Sequence, residues 1–134
     1  CGSVAIEWMR AGHDCRAIGI EPKKKRRELA MKNALTLGTP KLSIIKGSAP
    51  DALDNLERPD AIFIGGDIVH SKTQGITPEL IDVLNWWFTS IAEIAPTYII
   101  LGNHDGLILN ENRQDAITPI ISALNNKNIY LYKH

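Results

Sequence analysis

The stretch Ala61-Ile62-Phe63-Ile64-Gly65-Gly66-Asp67-Ile68-Val69-His70 decides the fold class of this chain. It begins as a short apolar run and then reaches glycine and aspartate, which favour a turn. The pattern recurs at Tyr98-Ile99-Ile100-Leu101-Gly102-Asn103-His104-Asp105. Apolar runs without polar alternation are typical of strands that are buried on both faces of a parallel sheet. The two stretches therefore predict parallel strands that each end in a polar loop.

The rest of the chain alternates similar apolar runs with helical patterns. The predicted strands are Ala17–Ile20, Leu42–Lys46, Ala61–Ile64, Tyr98–Leu101 and Ile129–Tyr132. The predicted helices are Ser3–Ala11, Lys23–Leu37, Pro50–Leu56, Pro78–Ile94 and Gln114–Asn125. Strands that alternate with helices indicate an α/β fold with right-handed crossovers. We therefore expect a three-layer α/β/α domain.

Length and composition fit one globular domain over residues 1–134, with 44% apolar and 22% charged residues. Fifteen basic residues balance fifteen acidic ones, so no overall field attracts nucleic acid or an anionic membrane. The sequence has no apolar stretch near the ~20 residues of a membrane span and no secretory signal pattern, which predicts a cytoplasmic protein. The cysteines, Cys1 and Cys15, are too few for a disulfide scaffold.

Two local features admit alternative roles. The run Lys23-Lys24-Lys25-Arg26-Arg27 could bind phosphate, although a solvated first helical turn is the interpretation we favour. Trp86 and Trp87 could stack on nucleic acid, but the sequence around them is not basic. We expect one of these tryptophans to pack on the sheet and the other to be partly exposed.

The first half of the chain carries four segments in the order of a known enzyme family. They are Cys1-Gly2-Ser3-Val4-Ala5-Ile6-Glu7-Trp8, Ala17-Ile18-Gly19-Ile20-Glu21, Lys46-Gly47-Ser48-Ala49-Pro50 and Pro59-Asp60-Ala61-Ile62-Phe63-Ile64-Gly65-Gly66. With them, residues 1–65 resemble the decarboxylating precorrin methyltransferases of cobalamin biosynthesis, which bind S-adenosylmethionine on a Rossmann-like sheet. The resemblance implies a cofactor crevice around Gly2, Glu21 and Ser48, in which Glu21 accepts hydrogen bonds from the ribose.

The same resemblance also gives a reason to expect that the cofactor does not bind. The sequence begins at Cys1, inside the glycine-rich turn of that family, and so lacks the strand beneath the cofactor and the first glycines of the turn. On this ground we do not expect S-adenosylmethionine to bind, and Glu21 is interpreted as a polar strand end.

The second half carries three segments in the order of a different family. They are Gly66-Asp67-Ile68-Val69-His70-Ser71, Ile100-Leu101-Gly102-Asn103-His104-Asp105 and Asn128-Ile129-Tyr130-Leu131-Tyr132. Residues 65–134 thereby resemble the phage recombination nucleases of the calcineurin-like metallophosphoesterase superfamily. The resemblance implies manganese or magnesium ligands at Asp67, Asn103 and His70. It also implies a catalytic His104 beside the phosphate, with Asp105 orienting its ring.

This second site is incomplete by the standard of its family. The sequence has no Asp-x-His loop and no Gly-His-x-His motif. Only Asp67 and Asn103 count as direct ligands, with His70 near the DNA or the metal pair, and two direct ligands cannot hold two metals in a fixed geometry. Gly66-Asp67 and Gly102-Asn103 also suit plain turns, because glycine accepts positive φ and Asp or Asn bonds to neighbouring amides. We favour these turn roles.

The two resemblances meet at Ile64-Gly65-Gly66-Asp67, which suggests a chimera, engineered or selected, of two enzyme fragments. The expected sheet is five-stranded, parallel and flavodoxin-like, of order 2-1-3-4-5, with an extra N-terminal helix. The predicted function is a folded domain without efficient catalysis and without a required cofactor. The alternatives are a manganese- or magnesium-dependent phosphodiesterase or DNA nuclease, and a remnant that binds S-adenosylmethionine or a nucleotide. A homodimer is the partner that the sequence suggests.

Overall fold

A computed structural model of the chain describes residues 3–11, 15–39, 41–69, 76–102, 105 and 115–132. The helices are α1 (Ser3–Ala11), α2 (Lys24–Thr36), α3 (Pro78–Ile94) and α4 (Thr118–Leu124), with a short 3-10 helix at Asp51–Leu53. The strands are β1 (Ala17–Ile20), β2 (Leu42–Ile45), β3 (Ile62–Ile64), β4 (Thr97–Ile100) and β5 (Ile129–Tyr132). This order confirms an α/β fold, and it places every predicted element within a few residues of its expected bounds.

The chain divides into two compact units, Cys1–Leu56 and Glu57–His134. In the first unit β1 pairs with β2, and in the second the order is β3-β4-β5, with all pairs parallel. The predicted neighbours are therefore present, but the single sheet of order 2-1-3-4-5 is not confirmed, because no strand pair of the described residues joins the two groups. Strand β3 has only three residues, and it pairs with β4. A single domain over residues 1–134 stays a prediction.

The core of the first unit is small. Ile6, Ala34 and Leu42 are buried together where α1 and α2 cover the two strands. Leu29 in α2 and Leu37 directly after the helix are 48% and 47% exposed. Alanine, the small residue at the contact, lets α2 lie close to β2, and this leaves the longer leucines on the flanks of the helix.

The core of the second unit is larger and lies between the three-stranded sheet and helices α3 and α4. Its buried members are Val69, Leu84, Phe88, Ile99, Ile117, Ile120 and Ile121. Helix α3 begins as predicted, with Pro78 in the first turn and the Thr77 hydroxyl accepting a hydrogen bond from the Leu80 N–H at 3.3 Å. Trp87 packs against this core while Trp86 is 58% exposed, which confirms the division expected for the tryptophan pair.

No helix in the described part of the chain is long and apolar enough to cross a membrane.

Candidate functional site

The carboxyl ends of β1 and β2 form one edge of the sheet in the first unit. The Glu21 N–H donates to the Ile45 carbonyl oxygen at 3.1 Å, which extends the parallel pairing by one residue beyond β1. Ser48 follows three residues after Ile45, and its carbonyl accepts the Ala52 N–H at 2.9 Å, so the loop leads directly into the 3-10 helix. The structure thus brings two of the three predicted cofactor residues, Glu21 and Ser48, to the same edge. The third, Gly2, lies outside the described residues.

Two neighbouring groups hold the Glu21 carboxylate in place, and it can still accept further hydrogen bonds. One oxygen accepts the Lys23 N–H at 2.9 Å, and the other lies 4.0 Å from an Arg26 guanidinium nitrogen. The side chain remains 25% exposed. Since a carboxylate offers about four lone-pair positions, acceptor capacity remains for further donors. Such a held, partly exposed carboxylate at a strand end can accept hydrogen bonds from a vicinal diol.

A buried carboxylate organises the corresponding edge of the second unit. Asp105 is 1% exposed and accepts three backbone N–H groups, from Ile68 at 2.7 Å, Val69 at 3.0 Å and Gly102 at 2.9 Å. Ile68 and Val69 follow β3, and Gly102 follows β4, so one side chain ties both strand-end loops together. We call these three hydrogen bonds to Asp105 the loop clamp. It satisfies backbone donors that would otherwise be buried without partners.

The two loops held by the clamp also touch through their backbones. Gly66 has φ +75°, and a Cβ atom there would lie 2.5 Å from the Gly102 Cα. A Cβ on Gly102 would in turn collide with the backbone nitrogen of Asp67. Asp67 itself adopts φ +55°, an uncommon conformation for a residue with a side chain. The glycines of both motifs are therefore required by close approach, in agreement with the turn roles that the sequence favoured.

Most of the residues predicted for the metallophosphoesterase site lie outside the described residues, namely His70, Asn103 and His104. Asp67 is exposed, whereas both oxygens of Asp105 accept backbone hydrogen bonds. The described residues contain no group of three or more His, Cys, Asp and Glu side chains that could hold a metal ion. The metal roles of Asp67, Asn103 and His70 and the catalytic roles of His104 and Asp105 stay predictions. The homodimer and the cytoplasmic location also stay predictions.

The loop clamp is the feature that sequence reasoning missed. Asp105 was predicted to orient His104, but its partners Ile68 and Val69 lie 37 and 36 residues away along the chain. The sequence signal that could have indicated the loop clamp is the pair of patterns Gly-Asp and Gly-x-x-Asp, each of which follows a predicted strand.

Comparison with known proteins finds a matching family model and similar proteins for the first part of the chain. Residues 1–85 match the family model described as "Precorrin methyltransferase domain". The chain is 48% identical over 65 residues to a precorrin-6Y C(5,15)-methyltransferase (decarboxylating) of Sinorhizobium sp., a match that covers 48% of this chain and 16% of that enzyme. It is also 48% identical over 60 residues to an uncharacterized protein of Acanthamoeba polyphaga mimivirus, covering 45% of this chain and 4% of the viral protein.

A solved structure agrees with this assignment. The crystallised domain from Corynebacterium diphtheriae that was targeted as a precorrin-6Y C5,15-methyltransferase aligns with a TM-score of 0.52 at 32% sequence identity. The alignment covers 71% of this chain and 49% of that domain. The chain thus spans about half of the solved domain and 16% of the Sinorhizobium enzyme.

These comparisons overturn the interpretation as a chimera without efficient activity, and with it the phosphodiesterase alternative. The family match continues to residue 85, past the junction expected at Ile64–Asp67, and so it includes the first glycine-aspartate motif. Close backbone approach explains the motif glycines without any metal. No comparison supports a nuclease segment in residues 65–134.

The expected absence of any cofactor is also wrong. The family uses S-adenosylmethionine as its methyl donor, against our expectation that this compound does not bind. The expectation that S-adenosylmethionine does not bind depended on the position at which the sequence begins. That position does not tell how Glu21 and Ser48 are arranged.

Proposed function

Because the chain belongs to the precorrin methyltransferase domain family, we propose that it contributes the S-adenosylmethionine-binding part of an enzyme that methylates a corrin precursor. The cofactor supplies the methyl group that is transferred to a carbon of the tetrapyrrole. The whole reaction and its substrate are part of the proposal, since the chain spans only a fraction of its curated relatives.

The position of Glu21 carries this proposal. In Rossmann-like folds an acidic side chain at the end of a parallel strand accepts hydrogen bonds from the ribose hydroxyls of the bound nucleotide. Glu21 occupies such a strand end, its backbone is bonded to the neighbouring strand, and its carboxylate keeps free acceptor positions. The residues present therefore fit an adenosyl cofactor.

Two further residues complete the proposed crevice. Ser48 is an exposed residue in the loop after β2, at the same edge as Glu21. Gly2 would allow backbone amides to approach the methionine portion of the cofactor. The chain's own contribution is to bind and orient the cofactor, so that its methyl group meets the substrate.

The test is a titration of the native chain with S-adenosylhomocysteine, the demethylated product, in which calorimetry measures the binding. We expect saturable binding by the native chain and a rise in its thermal midpoint with ligand concentration. Glu21→Gln should weaken binding about tenfold or more, because a hydrogen bond to a charged group contributes about 1.5–3 kcal/mol.

The matched control is Glu28→Gln, the same substitution at an exposed site on α2, where the glutamate pairs with Lys24 at 3.8 Å. This variant should bind the ligand as the native chain does. Absence of binding by the native chain, or equal losses in the two variants, would refute the proposed role.

A further inference from the structure

The balanced charge of the whole chain conceals a division between the two units. Residues 1–56 contain ten lysines and arginines and six acidic residues, whereas residues 57–134 contain five and nine. The first unit therefore has a formal charge of +4 and the second a formal charge of −4. A local field can attract an anion even though the net charge is zero.

The excess positive charge is concentrated at the edge that carries Glu21. Lys23, Lys24, Lys25 and Arg26 are exposed where α2 begins, directly after β1. Lys46 is exposed directly after β2, and because β1 and β2 are parallel it lies at the same edge from a separate element. We call Lys23–Arg27 together with Lys46 the basic edge.

Only part of this charge is neutralised within the described residues. Lys24 pairs with Glu28 at 3.8 Å, and Arg26 lies 4.0 Å from Glu21. Arg27 donates to the carbonyl oxygens of Glu21 and Pro22 at 2.9 and 2.6 Å. The ammonium groups of Lys23, Lys25 and Lys46 form no ion pair with any described residue, so they are available to a ligand.

We infer that the basic edge binds the carboxylate side chains of the tetrapyrrole substrate, an inference that rests on the function proposed above. Precursors of the corrin ring carry several carboxylates, and several lysines on two elements suit a ligand with anionic groups around its rim. Single-stranded nucleic acid is disfavoured, because its binding needs aromatic side chains for base stacking. Residues 1–56 contain one such residue, Trp8, which belongs to α1 and not to the segments after β1 and β2.

The test uses uroporphyrin, a tetrapyrrole polycarboxylate whose fluorescence reports binding, with the double variant Lys25→Gln/Lys46→Gln. The matched control is Arg16→Gln/Lys32→Gln, which removes the same charge from the same unit. Arg16 precedes β1 and Lys32 lies within α2, so neither belongs to the basic edge. We expect roughly three- to tenfold weaker binding at low salt for the edge variant and less than about twofold for the control.

Three results would decide the matter. Equal weakening in both double variants would overturn the inference, because it would show a general charge effect. Displacement of uroporphyrin by an oligonucleotide of comparable affinity would also overturn it, in favour of a nucleic-acid surface. Selective weakening in the edge variant, with unchanged S-adenosylhomocysteine binding, would support it.

The proposed function can fail separately. If the native chain binds uroporphyrin through Lys25 and Lys46 but does not bind S-adenosylhomocysteine, the basic edge stands as a polycarboxylate site and the cofactor assignment falls.

Discussion

The Asp105 carboxylate accepts the Ile68 N–H at 2.7 Å across 37 positions of sequence. The same oxygen accepts the Val69 N–H, while the other oxygen accepts the Gly102 N–H. The backbone of Asp105 takes part as well, since its carbonyl accepts the Ala116 N–H at 3.1 Å. One residue thus joins the loops after β3 and β4 to the segment that leads into α4.

Replacing the clamp carboxylate should destabilise the second unit. Asp105→Asn turns one acceptor into a donor that faces a backbone N–H, and we expect a loss of about 2–4 kcal/mol in the free energy of unfolding. Urea denaturation followed by tryptophan fluorescence measures it, since Trp86 and Trp87 lie in α3 of the same unit. Asp82→Asn, at an exposed position on α3, should change stability by less than about 0.5 kcal/mol. Comparable losses in the two variants would show that the clamp is not stabilising.

The close approach of the two loops predicts that substitution by alanine lowers the free energy of unfolding by different amounts at two glycines of similar conformation. Gly38 has φ +69°, and a Cβ atom there would have no neighbour within 4 Å, so Gly38→Ala should cost about 1–2 kcal/mol, the penalty of a left-handed residue. Gly66→Ala adds a collision with the backbone of Gly102, and we expect about 3 kcal/mol or more. Urea denaturation of both variants tests the difference. Equal values would mean that the loops can separate without loss.

Acid should loosen the first turn of α3. Hydrogen bonds from its own backbone N–H and from the Thr77 hydroxyl hold the pKa of Glu79 below its ordinary value. A carboxyl whose pKa is lower in the folded state stabilises that state above its unfolded pKa, and the stabilisation is lost as pH falls through the folded pKa. We therefore expect the protection of the amides in this turn, measured relative to the intrinsic exchange rate at each pH, to fall as pH drops below the ordinary glutamate pKa. Thr77→Val should weaken this dependence, and an unchanged profile in that variant would contradict the assignment.

Asp115 should matter for helix α4. Its carboxylate accepts the N–H groups of Ile117 and Thr118 at 3.0 and 2.6 Å, and also the Thr118 hydroxyl at 2.6 Å. Asp115→Ala removes these acceptors at the start of the helix and should cost about 1–2 kcal/mol in unfolding free energy. Asp115→Asn should retain much of this stability, because its amide oxygen can still accept from the backbone. A more severe loss in Asp115→Asn than in Asp115→Ala would argue against a capping role.

The elements were predictable because their signals are local. The bounds of β1, β5, α1 and α3 agree with prediction, since apolar runs, Pro78 and the Thr77 cap each act within a few residues. Helix α2 shows the limit of such reasoning. The sequence predicted the helix itself, but Ala30 and Ala34 are the residues that it buries, while Leu29 is 48% exposed.

The candidate site was predictable only in part. The parallel pairing of β1 and β2 brings Glu21 and Ser48 to one edge of the sheet, and their cofactor role there stays a prediction. Asp105 was not understood, since its hydrogen-bond partners depend on which strands become neighbours. The motif Gly66-Asp67 was misleading because a turn that is imposed by backbone contact with Gly102 has the same residues as a metal-binding loop.

The opposite formal charges of the two units have a practical consequence for handling the protein in solution. Near its isoelectric point of about 7.1 the chain has no net repulsion between molecules, while positive and negative regions of neighbours can attract each other. Moderate sodium chloride screens that attraction, so the protein should dissolve better at physiological ionic strength than in dilute buffer. Purification by ion exchange at neutral pH should likewise show retention on both cationic and anionic resins at low salt.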